Sequence, residues 1–441
     1  MEMKRSIYNE LLRWKQRPER KPLILLGARQ VGKTYILKKF GENEYEHLIY
    51  INCHRNSFAE SLFASGFDIP KILNRISLAY NIVIVPGRAL LFFDEIQEIP
   101  QGIPALKYFC ENAPEQHVVV AGSLLGITLR HGESYPVGKV NTLRMFPMTF
   151  SEYMDASGRT MLRKAVDSLD FDTLRVFHDE LTELLRQYYF TGGMPEAVRT
   201  FVTTNNTTET RRVQHEILDA YENDMAKHTA TETQRIHMVW NSIPSQLARE
   251  RKKFKYSEVA SGARAREYEI GLQWLVDAGL VYKVERTKLP VHPLKFYADN
   301  AAFKVYMNDC GLLAALADAQ PRDMLLGSQV FESFKGAFTE NYVLQQITAL
   351  DRLPVYYYSK DNSTMEVDFL VQAPHRIIPT EVKAEENVKS KSLTTFINHE
   401  FAEHHLKGLR CSMKPYIDQN WMENVPLYAV EAYFRHEATT L

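Results

Sequence analysis

Residues 23–34 read Leu23-Ile24-Leu25-Leu26-Gly27-Ala28-Arg29-Gln30-Val31-Gly32-Lys33-Thr34. Four apolar residues bounded by Pro22 and Gly27 predict a strand buried on both faces, as in a parallel sheet. The loop that follows has the spacing Gly-x4-Gly-Lys-Thr, and Tyr35-Ile36-Leu37-Lys38-Lys39-Phe40 continue it as a helix. A strand, this loop and a helix in that order form a phosphate cradle, the Walker A motif. Its glycines let backbone N–H groups curl around phosphate oxygens. Lys33 brings a point charge to the β/γ-phosphates, the Thr34 hydroxyl is placed to ligate Mg²⁺, and the helix N-terminus favours negative charge. Gly27, Ala28, Arg29, Gln30, Val31, Gly32, Lys33 and Thr34 are therefore expected to bind ATP with Mg²⁺.

Working outward, apolar runs recur at Leu48–Ile51, Ala89–Phe93 and Val118–Ala121, separated by helical stretches, which predicts an α/β domain. The second run ends in Asp94-Glu95, a Walker B pattern. Asp94 is expected in the Mg²⁺ shell and Glu95 as the base that polarises the attacking water. The third ends in Gly122-Ser123, and ligands in such sheets bind at the carboxyl ends of the strands. Ser123 is thus expected near the γ-phosphate or its water.

These elements, with Asp94-Glu95-Ile96-Gln97, Phe146-Pro147-Met148-Thr149-Phe150-Ser151-Glu152-Tyr153 and Gly192-Gly193-Met194-Pro195-Glu196-Ala197, resemble the bacterial and archaeal AAA+ ATPases that carry a C-terminal domain of unknown function. The resemblance implies an ATP-hydrolysing P-loop domain over 1–150, a helical lid or linker over 151–235, a winged helix-turn-helix over 236–300 and a C-terminal α+β domain over 301–441. Related sequences commonly carry Gly-Arg shortly before the Pro-x-x-Phe segment, a plausible arginine finger, whereas here the position reads Gly138-Lys139. Lysine does not reproduce the planar guanidinium fork. Arg130, Arg144, a second copy of the chain or a protein partner are the alternatives.

The winged-helix expectation rests on the basic run Arg249-Glu250-Arg251-Lys252-Lys253-Phe254-Lys255, a helix with Tyr268, Leu272, Leu275 and Ala278 at core spacing, and a strand pair (Leu280–Glu285, Leu294–Tyr297) whose Lys283, Arg286 and Lys288 would line a wing. Arg264 and Arg266 are the candidate DNA contacts. Docking of a protein by the same module stays open.

Further on, Glu340 shares a helix face with Val343, Leu344 and Ile347, where a carboxylate must be paired or bind metal. Met365–Val371 and Ile377–Lys383 read as adjacent strands that bring Asp368 toward Glu381 and Lys383. This pattern resembles the PD-(D/E)xK nucleases, and the resemblance implies a restriction-endonuclease-like fold with Asp368, Glu381 and Glu340 as metal ligands and Lys383 as the catalytic lysine. A salt-bridged hairpin, or an inactive nuclease fold kept for binding, is the rival.

The formal net charge of −1 provides no global field for polyanions, so nucleic-acid contact requires a local basic patch. The four cysteines are widely spaced, which argues against a disulfide framework or zinc site. No signal-length apolar stretch follows the N-terminus, and no run approaches the ~18–20 residues of a membrane span. A cytoplasmic protein is expected. Two functions remain: an ATPase controlling nucleic-acid engagement by the distal domains, or a nucleotide-dependent switch with a catalytically inactive nuclease fold.

Overall fold

The computed structural model of the 441-residue chain describes residues 3–64, 66–123, 126, 136–227, 229–326, 329–361, 363–384 and 390–439. It divides into two compact units, one built from Lys4–Phe146 with Asp277–Gly279, the other from Pro147–Val276 and Leu280–Leu441.

The first unit is a three-layer α/β structure around a parallel sheet in the order β2-β3-β4-β1-β5. Its strands are β1 (Leu23–Leu26), β2 (His47–Asn52), β3 (Ala89–Asp94), β4 (His117–Ala121) and β5 (Asn141–Arg144). The central strands β3 and β4 are buried along their whole length, as their uninterrupted apolar sequences require. Leu23 pairs with Val119 on one side and Asn141 on the other, so β1 lies inside the sheet and its loop opens between neighbours. Helices α1 (Ile7–Gln16), α2 (Lys33–Glu44), α3 (Ser57–Ala64), α4 (Ile69–Tyr80) and α5 (Gly102–Asn112) cover it. Ile72, Ile76, Leu106 and Phe109 from α4 and α5 pack with Leu91, Phe93, Val118 and Val120 in one core.

The second unit begins with helices: α6 (Phe150–Ala156), α7 (Thr160–Asp167), α8 (Phe171–Val176), α9 (His178–Thr191), α10 (Pro195–Thr204), α11 (Thr207–Met225), α12 (Ala230–Leu247) and α13 (Ala265–Asp277). The sequence motifs quoted above are structural here. Thr149 and Glu152 form a reciprocal capping box that starts α6. The Gly193 carbonyl accepts the Met148 N–H, and a Cβ on Gly193 would meet the Met148 oxygen at 2.1 Å. Met194-Pro195 then opens α10 with proline in its first turn.

An eight-stranded mixed sheet follows, in the order β12-β13-β11-β10-β9-β8-β6-β7. It uses β6 (Val281–Thr287), β7 (Ala298–Met307), β8 (Val355–Ser359), β9 (Glu366–Gln372), β10 (Ile377–Lys383), β11 (Gly408–Ser412), β12 (Ile417–Asp418) and β13 (Met422–Pro426). Between β7 and β8 come α14 (Cys310–Leu316), α15 (Pro321–Leu326) and α16 (Gln329–Thr348). After β10 come α17 (Lys391–Thr395) and, last, α18 (Val430–Thr439).

Here the structure departs from the expected wing. Leu294–Tyr297 is a 3-10 turn, and the second strand is β7. The β6–β7 hairpin joins the C-terminal sheet through Arg286 opposite Tyr357, so a boundary at residue 300 falls inside a strand. The reason is burial: Val281, Val284, Phe303, Val305 and Tyr306 are core residues, which a solvent-exposed wing would leave wet. Arg286 is spent on Asp299 and Asp361, and the Lys283 ammonium lies 4.6 Å from the centre of the Phe303 ring. Within the segment expected to be a helical lid, Phe177 separates α8 from α9. No helix among the described residues is long and apolar enough to cross a membrane.

Candidate nucleotide site and C-terminal charge cluster

The phosphate loop is made by three residues in left-handed backbone conformation or close to it. Gly27 has φ 150°, Gln30 φ 66° and Gly32 φ 98°. A Cβ on Gly27 would lie 2.2 Å from the Met145 carbonyl oxygen, so only glycine fits. Val31 is buried beneath the loop, and its carbonyl accepts from Arg5 Nη1 at 2.8 Å, while Arg5 Nη2 reaches the Phe146 carbonyl at 2.6 Å. Arg5 thus braces the cradle from the N-terminal segment. Sequence reading missed it, and the only available signal was a charged residue just ahead of an amphipathic helix.

Lys33 opens α2 and is buried. Its ammonium donates to the carbonyls of Gly27 and Ala28, each at 2.8 Å. Burial lowers its pKa to about 8 against the raising influence of Glu95 and Asp94. The Thr34 hydroxyl donates to Asp94 Oδ2 at 2.9 Å, and the Tyr50 hydroxyl reaches the same oxygen at 3.1 Å. Burial raises the Asp94 pKa, and these two hydrogen bonds offset part of the rise.

Glu95 follows β3 with φ 53°. Its Oε2 accepts from the Ser123 N–H at 3.1 Å, the Ser123 hydroxyl at 3.2 Å and Gln97 Nε2 at 2.5 Å. The ends of β3 and β4 are thereby joined through a carboxylate. Gln97 was visible in the sequence as part of Asp94-Glu95-Ile96-Gln97, but its work became clear only from the turn. A Cβ on Gly122 would collide with its side-chain oxygen at 1.9 Å. The structure therefore gathers Lys33, Thr34, Asp94, Glu95 and Ser123 about one loop. Lys139, at the expected finger position, is bound to Glu111 at 2.9 Å. Arg144 ends β5 opposite Leu26, and Arg130 lies outside the described residues.

Three family models match parts of the chain. One described as an AAA domain matches residues 19–154. Two domains of unknown function, DUF8612 and DUF4143, match residues 182–323 and 335–429. Among solved structures, the Walker-type ATPase PABY2304 of Pyrococcus abyssi is similar at 13 % identity and TM-score 0.46, over 72 % of this chain and 96 % of that one. Cdc6p from Pyrobaculum aerophilum is similar at 15 % identity and TM-score 0.25, over 70 % of this chain and 90 % of that one. No curated protein matches. Within the residues matched by that AAA model, the loop around Lys33 suits a nucleoside triphosphate, and Thr34 beside Asp94 suits its magnesium ion.

The second unit holds a separate cluster. Glu340 on α16 is buried, forms an ion pair with Lys252 and accepts from the Tyr306 hydroxyl at 3.0 Å. Lys304 on β7, fully buried, lies 3.9 Å from Glu340 and 2.5 Å from Glu366. Asp368 on β9 accepts the Val382 N–H at 2.8 Å, and Glu381 on β10 is paired with Lys383 at 2.7 Å. Burial would raise the Glu340 pKa, but the Lys252 and Lys304 charges outweigh it and hold the group below its ordinary value. Burial and then the Glu340 charge push Asp368 up to about 7.

Asp368, Glu381 and Glu340, the residues expected as metal ligands, meet ammonium groups and a backbone N–H in this structure. Among the described residues no three His, Cys, Asp or Glu side chains form a group able to hold a metal ion. Glu381 Oε1 meets Lys383, while its Oε2 is buried without a hydrogen-bond partner. Arg264 and Arg266 are both exposed at the start of α13, while the preceding basic run is largely engaged. Arg249 pairs with Glu258, Arg251 donates to the Ser363 carbonyl and Lys252 is bound to Glu340.

Proposed function

We propose that the chain hydrolyses ATP with Mg²⁺ and that nucleotide state governs what its second unit engages. The observation that carries this reading is the joint placement of Lys33, Thr34, Asp94 and Glu95 at the carboxyl ends of β1 and β3. In this reading Lys33 leaves the carbonyls of its own loop for the β/γ-phosphates, and backbone N–H groups of residues 28–33 orient the phosphate chain. Magnesium held through Thr34 and Asp94 supplies charge neutralisation at the phosphate oxygens. Glu95, aimed by Ser123 and Gln97, takes the proton of the attacking water. With Lys139 bound to Glu111, an arginine from another subunit or a protein partner would complete the site, a contribution of about 10³–10⁵ in turnover.

For the second unit, the ion-paired carboxylates favour a binding role over cleavage. Arg264 and Arg266 are the candidate contacts for DNA.

The test is phosphate release with ATP and Mg²⁺. Activity should vanish in Lys33→Ala together with nucleotide binding, and in Glu95→Gln without loss of binding. Folded wild-type protein that takes up no ATP, ADP or GTP in calorimetry would overturn the proposal. DNA affinity that falls steeply with salt, and is reduced in Arg264→Ala/Arg266→Ala, supports the DNA contact, and no binding at low salt removes it.

A further inference from the structure

Four acidic side chains, Glu340, Glu366, Asp368 and Glu381, sit buried or half-buried in the C-terminal sheet and its covering helix. Carboxylates removed from water need compensating charge, from bound metal or from the protein itself. Here the protein supplies it. Lys304 is wholly buried between Glu366 and Glu340, and Lys383 holds Glu381. Arg410, on the neighbouring strand and in register with Glu381, adds a fourth charge to those of Lys252, Lys304 and Lys383.

Lys252 differs from the others. It comes from the irregular segment after α12, 88 positions before Glu340 in the chain, and enters the cluster from outside the sheet. The segment is fixed on both sides of it: Arg251 donates to the Ser363 carbonyl, and the Phe254 N–H donates to the Phe303 carbonyl. The Phe254 ring stacks on Phe303 at 5.6 Å.

We infer that the Lys252 ammonium occupies the place of a divalent cation beside Glu340, so that this is a metal-independent cluster whose carboxylate charges are compensated by the chain's own cations. Lys252 is a tethered counter-ion, held in place by the anchored residues on either side of it. The metal expected from the nuclease resemblance does not fit, because a divalent ion at Glu340 would stand against the Lys252 and Lys304 charges. The inference is independent of the ATPase reading.

The test is Mn²⁺ titration of the nucleotide-free full chain, followed by electron paramagnetic resonance and thermal melting, with Asp94→Asn run in parallel to identify any signal from the nucleotide site. Wild type should show no Mn²⁺ binding that depends on Asp368 or Glu381. Lys252→Ala should gain Mn²⁺ binding that Asp368→Asn removes, with the melting temperature raised by about 2–4 °C at saturating metal. Lys252→Met, which keeps the apolar stem, serves if the alanine variant does not fold. Wild-type Mn²⁺ binding lost in Asp368→Asn or Glu381→Gln overturns the inference, as does a folded Lys252 variant that gains no metal.

Discussion

The Thr34 hydroxyl donates to Asp94 Oδ2 across 2.9 Å, tying the first turn of α2 to the end of β3. The helix that follows β1 and the strand β3, which is not a neighbour of β1 in the sheet, thereby present one polar pair to the mouth of the phosphate loop. Removing either partner should affect turnover more than folding. Asp94→Asn is expected to lower Mg²⁺-dependent ATP hydrolysis by about 100-fold or more, since several kcal/mol of charge stabilisation go with the metal. Steady-state phosphate release against Mg²⁺ concentration checks this, and an unchanged rate would remove Asp94 from the site.

Gly122 faces the Gln97 side chain with no room for a methyl group. Gly122→Ala should push Gln97 off Glu95 and slow hydrolysis while nucleotide affinity changes little. The measurement is kcat alongside a nucleotide Kd. Gln97→Ala should reproduce the kcat effect if the displaced amide is the cause.

Burial, with the charges of Arg20 and Lys15, pushes the His117 imidazole down from 6.5 to about 4. Its Nδ1 lies 2.7 Å from the Tyr45 hydroxyl. The unfolded chain therefore binds more protons than the folded one between about pH 4 and pH 6.5, and stability falls as pH drops through that window. Melting temperature recorded from pH 7 to pH 4 should show the decline. His117→Gln should be less stable at pH 7 and should have a flatter profile.

Lys304 has no solvent exposure and neutralises two carboxylates. Lys304→Met leaves them buried without it and should destabilise the second unit by about 3–5 kcal/mol. Urea unfolding followed by tryptophan fluorescence reads this directly. A neutral outcome would mean that the cluster is wetter than its burial suggests.

Asp309 accepts the Gly193 N–H at 2.6 Å, the Leu312 N–H at 2.9 Å and Gln345 Nε2 at 3.2 Å. Asp309→Ala orphans the two backbone donors in the core, while Gln345 Nε2 keeps its bond to the Tyr188 hydroxyl, and should cost about 3 kcal/mol. Asp309→Asn retains an acceptor and should cost less. Thermal melts of both variants make the comparison.

The phosphate loop and the buried strands were legible because their chemistry is local: an apolar run, two obligatory glycines and a lysine at fixed spacing. Asn141–Arg144 was not, because an edge strand with only Leu143 as an apolar residue carries no pattern. The Glu340–Asp368–Glu381 region was readable as residues and not as partners. Glu340 was expected to need a counter-charge, and it has one, but Lys252 stands in a basic run indistinguishable in sequence from a solvated face. Of the hairpin near residue 290 the first strand was legible, whereas the second was expected at Leu294–Tyr297 and lies at Ala298–Met307, and which sheet the pair joins depends on Arg286 meeting Tyr357, a pairing between distant segments.

The union of β6 and β7 with the strands that follow them limits how the protein can be dissected. A fragment ended at residue 300 would strip β6 of its outer partner. It would also remove β8 from the other edge of β6, leaving that strand to recruit backbone hydrogen bonds elsewhere, an invitation to strand addition between molecules. Recombinant pieces of this polypeptide are expected to stay dispersed when the helices and the whole mixed sheet travel together, and to precipitate when the hairpin is separated from them.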